Sequence, residues 1–277
     1  MGTLYVIATP IGNLEDVTLR ALRLLREADC ILAEDTRRTR VLLDHHGISQ
    51  RPRSLHAHNE AERIGQVLAR LERGEQVALV SDAGTPLLSD PGARLVAAAV
   101  QAGQPVVPVP GASAILAALV ASDLPAQPFT FVGFLPRKRG ERRVLLERLS
   151  RREETLVIFE SPRRLAATLA ELATALGDRR ACVARELTKL HEEAARGTLA
   201  ELAVRFADGA RGEVTVVVEG AASPPLLGEA ELDERILALA AAGHSPRDIA
   251  AELAPEAALA KREVYARVLA LRKPAAP

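Results

Sequence analysis

Four short polar loops carry most of the residue types capable of chemistry in the first half of this 277-residue sequence. Each follows an apolar run. Thr9-Pro10-Ile11-Gly12-Asn13 comes after Leu4–Ala8, Glu34-Asp35-Thr36-Arg37 after Cys30–Ala33, Ser81-Asp82-Ala83-Gly84-Thr85-Pro86 after Gln76–Val80, and Pro110-Gly111-Ala112-Ser113 after Pro105–Val109. In open parallel sheets, ligands bind beyond the carboxyl ends of the strands, which is where these loops would sit. Turn propensity explains the glycines and prolines of any one loop, but four in succession less well. No GxGxxG follows any strand and no GxxxxGK(S/T) occurs, so phosphate cradling is not the theme. The glycine and proline turns instead allow close approach of backbone amides and carbonyls. That suits a ligand with an adenine edge, ribose hydroxyls and a sulfonium but no phosphate.

Other reactive side chains point elsewhere less clearly. Asp44-His45-His46 would fit a metal phosphoesterase, yet it ends a helical pattern and Gly47 follows where a C-cap belongs. His56 and His58 flank Ala57 in a loop-like stretch without a second cluster of acidic or histidine ligands, so no structural or catalytic zinc is predicted. Cys30 and Cys182 each lie in a strand-like apolar run and read as small buried hydrophobes, not as a disulfide framework. Lysine plus arginine and aspartate plus glutamate both total 36, so any electrostatic attraction to nucleic acid must be local. Between Arg137 and Arg152, eight arginines or lysines oppose only Glu141 and Glu147. Such a segment is either a footprint for phosphates or a solvated arginine-rich helix; Arg37, Arg38 and Arg40 would extend the same surface. Two tyrosines and five phenylalanines are too few for the stacking platforms of single-strand binders.

The elements that must position these residues alternate in kind. Between the first four strands lie amphipathic segments such as Leu19–Ala28 and Glu60–Arg73, giving βαβ units and a parallel sheet covered on both faces. The two prolines of Ser122–Pro128 mark a hinge. Beyond it, Phe129–Phe134, Thr155–Phe159, Ala181–Ala184 and Glu213–Val218 are four further strands, with helices at Arg163–Leu176 and Leu199–Phe206, in a second α/β or mixed-sheet domain. Ala222–Gly228 is a proline-containing linker, and two or three short helices follow, one started by Ser245 as N-cap with Pro246 in the first turn. The expected division is 1–122, 123–221 and 222–277. The N-terminus has no charged n-region and no apolar stretch reaches about 18 residues, so a cytoplasmic protein with no membrane span is expected.

Six segments in register carry a resemblance: LYVIATPIGNLEDVTLRAL (Leu4–Leu22), AEDTRRT (Ala33–Thr39), VSDAGTPLLSDPG (Val80–Gly92), VPGASA (Val109–Ala114), FESPRR (Phe159–Arg164) and RELTKLHEE (Arg185–Glu193). Together they resemble the ribosomal RNA small subunit methyltransferase I family, which is similar to the tetrapyrrole methylases. The resemblance implies two α/β domains of the tetrapyrrole methylase (class III methyltransferase) type with a small helical C-terminal tail. It also implies S-adenosylmethionine in the cleft between the domains, a cytidine 2′-hydroxyl of 16S rRNA in the small subunit as acceptor, and a homodimer. Carried over by motif, Pro10, Asp82, Gly84, Thr85, Pro86, Leu88, Ser113 and Ala114 would line the cofactor. From the second domain, Phe159 would cover its adenosine and Glu186 would reach toward it.

Methyl transfer depends mainly on positioning, but a ribose hydroxyl is a weak nucleophile and gains from a base or a stabilising cation. Asp35, Glu186 and Lys189 are the candidates. Asp35 also reads as a helix N-cap, and Glu186 with Lys189 as a salt bridge across the domain interface. Candidate RNA contacts are Arg37, Arg137, Lys138, Arg139, Arg142 and Arg143. The C-terminal helices, with Arg247, Lys261, Arg262, Arg267, Arg272 and Lys273, read equally as a further RNA-contact module or as a packing appendage. A small-molecule tetrapyrrole methylase would share the fold without a use for the basic segment, and a non-catalytic assembly factor would retain the cleft without binding the cofactor.

Overall fold

The computed structural model describes residues 2–56, 59–222 and 227–272; His58, Lys273 and most of the Ala222–Gly228 linker lie outside them. The chain divides into two compact units, Met1–Ala221 and Ala222–Pro277.

The first half of the larger unit runs β1 (Thr3–Ile7), α1 (Leu19–Glu27), β2 (Cys30–Ala33), α2 (Thr36–His45), β3 (Arg53–Ser54), α3 (Glu60–Glu72), β4 (Gln76–Val80), α4 (Ala93–Gln101), β5 (Val106–Val109) and α5 (Ala114–Ser122). Its sheet has the order β3-β2-β4-β1-β5 and is parallel throughout. Alternation along the strands sends side chains to two cores. Ile7, Ile31, Ala33, Ala78 and Val80 pack under Ala21, Leu22, Leu24 and Leu25 of α1. On the opposite face Leu4, Cys30, Leu32, Val77 and Leu79 pack against Val67 and Leu71 of α3 and Leu95 and Ala99 of α4. Pro108 falls in β5, an edge strand, where a missing backbone donor is tolerated. The chain leaves β1 toward β2 on one side and leaves β4 toward β5 on the other, so the switch point lies between the carboxyl ends of β1 and β4.

The second half runs β6 (Phe129–Phe134), α6 (Arg139–Leu149), β7 (Thr155–Glu160), α7 (Leu165–Leu176), β8 (Arg180–Arg185), β9 (Glu193–Thr198), α8 (Leu199–Arg205) and β10 (Val214–Val218). The sheet order is β6-β7-β10-β8-β9, with β6 and β7 parallel and the other pairings antiparallel. It is the mixed sheet of the two expected alternatives, with five strands where four were expected. The extra strand, β9, is an edge strand of sequence EAARGT without a β-branched apolar residue, so only its pairing with β8 reveals it. Leucines of α6, α7 and α8 cover one face. The other face, with Val157, Cys182, Ala184 and Val217, is covered by Ile115, Ala118 and Leu119 of α5 together with Ile11. Thus α5, expected to close the first domain, packs its apolar surface on the second sheet, and the two sheets share one compact unit. Both cysteines are buried and free.

The smaller unit holds α9 (Glu229–Ala241), α10 (Pro246–Glu256) and α11 (Lys261–Arg272) around Leu232, Ile236, Ile249, Leu253, Val264 and Val268. Ser245 accepts from the Asp248 amide as N-cap, with Pro246 in the first turn. No described helix is long and apolar enough to cross a membrane.

Candidate active site

The loops at the switch point are tied to one another. Thr9 and Gly84 exchange backbone hydrogen bonds of 2.9 and 3.0 Å, and the Thr9 hydroxyl donates to the Ser81 carbonyl at 3.0 Å. Gly84 has φ +81°, a conformation that a side chain would strain. The loop after β1 also meets the loop after β8. The Asn13 amide donates to Thr188 Oγ1 at 3.0 Å, and a Cβ at Gly12 would lie 2.6 Å from Lys189 Cγ.

Between these loops and the second sheet lies a cavity of about 510 Å³, within the usual range for small-molecule sites. The first half of the unit supplies Ile11, Glu34, Asp35, Arg38, Asp82, Ala83, Leu88, Ser89, Asp90 and Ala114. The second supplies Phe134 from β6, Phe159 and Glu160 from β7 with Ser161 and Pro162 beyond it, Ala184, Leu187, and Gly212 to Thr215 leading into β10. The rings of Phe134 and Phe159 lie 5.7 Å apart, and those of Phe131 and Phe159 4.9 Å apart edge to face.

The wall holds six carboxylates against one cation, Arg38, among the described residues, and the carboxylates differ in state. Asp35 caps α2, accepting from the Arg37 amide at 2.9 Å and from its guanidinium at 3.0 and 2.7 Å; these bonds lower its pKa to about 2. Its backbone amide donates to Asp82 Oδ1 at 2.8 Å. Glu34, one residue earlier, is pushed up by burial and by the charges of Asp90 and Asp82. Burial also raises Asp90, more than the hydrogen bond from the Ser81 hydroxyl lowers it, and Asp82 adds to the rise. Glu160 is buried, which works against its ionisation, but Arg164, Thr168 and the Ser161 amide donate to it at 2.6 to 2.9 Å and hold its pKa down.

Glu213 leads into a charged cluster beside the cavity. Lys189 Nζ donates to Glu186 Oε1 at 2.9 Å and to Glu213 Oε2 at 3.1 Å, and Arg38 stands 3.6 Å from Glu213. Burial disfavours the Lys189 ammonium, yet its two carboxylate partners prevail and raise its pKa. The bond from Lys189 lowers that of Glu186, as does the Glu213 amide, which donates at 3.1 Å. Glu186 has φ +49°, and a Cβ at Gly212 would come 2.0 Å from its Oε1, so this packing requires glycine at 212.

Of the residues singled out in the sequence, Asp35, Asp82, Leu88, Ala114 and Phe159 line the cavity. Pro10, Gly84, Thr85 and Pro86 form the tied loops behind that wall, and Ser113 caps α5 by accepting from the Leu116 amide. Glu186 and Lys189 stand one contact away, through Glu213. Asp35 is the N-cap that its Asp-Thr-Arg context suggested. Glu34, Asp90 and Glu160 stand inside quoted motifs but were passed over there, whereas Gly212 to Thr215 carried no motif at all. Within the basic segment, Lys138 pairs with Glu141, Arg142 with Glu171 and Arg152 with Glu154. Arg137, Arg139, Arg143, Arg148 and Arg151 have no ion-pair partner among the described residues.

A parallel sheet and a mixed sheet with a cavity across the switch-point loops define a class of α/β proteins, and residues 3–203 match the Tetrapyrrole (Corrin/Porphyrin) Methylases. The crystal structure of uroporphyrin-III C-methyltransferase from Thermus thermophilus, complexed with S-adenosyl homocysteine, shares the fold: TM-score 0.56 over 78% of this chain and 97% of that one, at 21% identity. Ribosomal RNA small subunit methyltransferase I of Mesorhizobium japonicum is 49% identical over 97% of this chain and 92% of that protein. The protein of the same name from Xylella fastidiosa is 48% identical over 95% of this chain and 97% of its own length. The chain belongs to the tetrapyrrole methylase family and, within it, to the ribosomal RNA small subunit methyltransferase I group.

Proposed function

We propose that this protein transfers a methyl group from S-adenosylmethionine to the 2′-hydroxyl of a cytidine in 16S rRNA, with the cofactor in the cavity between the two sheets. The wall of that cavity carries the reading. Ile11, Leu88, Phe134, Phe159 and Leu187 offer apolar surface beside Glu34, Asp82 and Asp90, which have no ion-pair partner among the described residues. Apolar walls suit an adenosine and a thioether chain, and unpaired carboxylates suit a cation while repelling a phosphate. The residues present therefore fit a nucleoside sulfonium. When bound, S-adenosylmethionine supplies an electrophilic methyl group on that sulfonium. The rRNA acceptor is supported by the names of the relatives, and its cytidine ribose by the six motifs.

In this reading Asp82, Leu88, Ala114 and Phe159 hold the cofactor directly. Pro10, Gly84, Thr85, Pro86 and Ser113 fix the loops that present them, and Glu186 supports the wall through Gly212 and Glu213. Methylation of the ribose hydroxyl would require a residue of the wall to accept its proton. Glu34 is the acceptor we favour, because its raised pKa makes it the stronger base. Asp35, held at about 2 by Arg37, is too weak a base and instead orients α2 and Asp82. Lys189 stays cationic between Glu186 and Glu213 and holds Glu213 in the wall. The same reading extends to a cytoplasmic homodimer, which sedimentation of the purified protein would check.

The test is incubation with methyl-labelled cofactor and either 30S subunits lacking the modification or a tetrapyrrole, followed by mapping of the label. Label on a cytidine 2′-oxygen is expected. Label on a base or the tetrapyrrole, or no calorimetric signal with S-adenosylmethionine, overturns the reading.

A further inference from the structure

Two exposed arginines sit beside the cavity wall: Arg163, to which the FESPRR segment assigned no role, and Arg211, which lies in none of the six segments. Arg163 directly follows Pro162 of the wall, and Arg211 directly precedes Gly212. Neither has an ion-pair partner among the described residues. Arg211 is held between Gly209 and Gly212, both at positive φ, and Gly212 is packed against Glu186, so the backbone carrying this side chain is fixed to the wall. Arg38 reaches the same cavity from α2. The cavity wall itself, by contrast, presents Glu34, Asp82 and Asp90, none in an ion pair among the described residues. A carboxylate-lined wall flanked by exposed guanidinium groups sorts one polyanionic strand into two parts: phosphates are attracted to the arginines and repelled by the wall, over distances shorter than the Debye length of about 8 Å.

Resting on the proposed rRNA acceptor, we infer that Arg163 and Arg211 bind the phosphates flanking the target nucleotide, leaving its uncharged ribose to face the acidic cavity. The two arginines thereby position an RNA strand whose target nucleotide is splayed away from its neighbours, since a stacked, paired nucleotide would bring its phosphates inward with it. These two side chains act on the substrate's backbone and contribute nothing to cofactor binding.

The experiment compares the wild type with Arg163→Ala/Arg211→Ala, and with Arg51→Ala as a control from the loop before β3, at the other end of the first sheet. Binding of 30S subunits is measured across a salt series in the presence of S-adenosylhomocysteine, and cofactor affinity by calorimetry. The double variant should reduce the slope of log affinity against log salt by about 1.4, two contacts at about 0.7 each for a single strand. Its KM for 30S subunits should rise at least tenfold while cofactor affinity is unchanged, and R51A should match the wild type. An unchanged salt slope, an equal loss in R51A, or a loss confined to kcat would overturn the inference. Because the slope reports binding alone, it remains readable if the methylated position proves not to be a ribose; failure of cofactor binding in the wild type would instead strike the proposed function.

Discussion

Glu34 and Asp35 are adjacent carboxylates in the same cavity wall with opposite electrostatics, and the difference predicts which of them accepts a proton. Asp35 is held at about 2 by Arg37, whereas Glu34 is raised by burial and by Asp90 and Asp82. Glu34→Gln should lower the rate of methyl transfer at saturating cofactor by about 10²- to 10⁴-fold. Asp35→Asn, which keeps an N-cap of equal quality, should stay within about tenfold of wild type. The pH profile gives the sign: a base must be unprotonated, so the wild-type rate falls as pH drops through the raised Glu34 value, and this acid limb should vanish from the residual rate of E34Q. Equal losses in both variants would refute the assignment. At Gly212 a methyl group would collide with Glu186 in a left-handed backbone, so Gly212→Ala should cost about 1–3 kcal/mol in denaturant unfolding. The sequence named the acidic pair through its motif, but which partner each carboxylate finds depends on neighbours up to 56 residues away, such as Asp90 for Glu34, and no spacing rule reports that.

At the scale of elements, the strands with apolar, β-branched runs were legible, and β2, β4 and β6 have the bounds their sequences suggested. β3 and β9 were not. Both are edge strands with polar or small residues, so pairing rather than composition makes them strands. Helix starts were legible where a side chain caps its own helix, as at Ser245, and not where the cap comes from afar. α4 begins at Gly92, which has no side chain to offer, and the buried Glu60 of α3 accepts instead from the amides of Arg94 and Leu95 at 3.0 and 3.1 Å. Glu60→Ala would orphan both donors, and we expect a loss of about 1–3 kcal/mol in chemical denaturation, without change in cofactor affinity per folded molecule. A loss below about 0.3 kcal/mol would show that water replaces the carboxylate without penalty.

For the molecule as a whole, every described residue lining the cavity comes from the unit that ends at Ala221. A chain ending at residue 221 should therefore fold and bind S-adenosylmethionine within about threefold of the full protein, as read by calorimetry, and loss of binding with the fold intact by circular dichroism would contradict this. What the residues determined unaided was local: strand and helix periodicity, the turns at strand ends, and a set of motifs specific enough to indicate the family. Those features arise from interactions between residues close along the chain, which any reader of the sequence can trace. The tertiary structure alone decided that α5 covers the second sheet, that the loop before β10 completes the cavity wall, and that Glu34 and Asp35 part in basicity. Each of these follows from burial or from charges brought together by folding, and neither dielectric nor distance is written in the order of the residues.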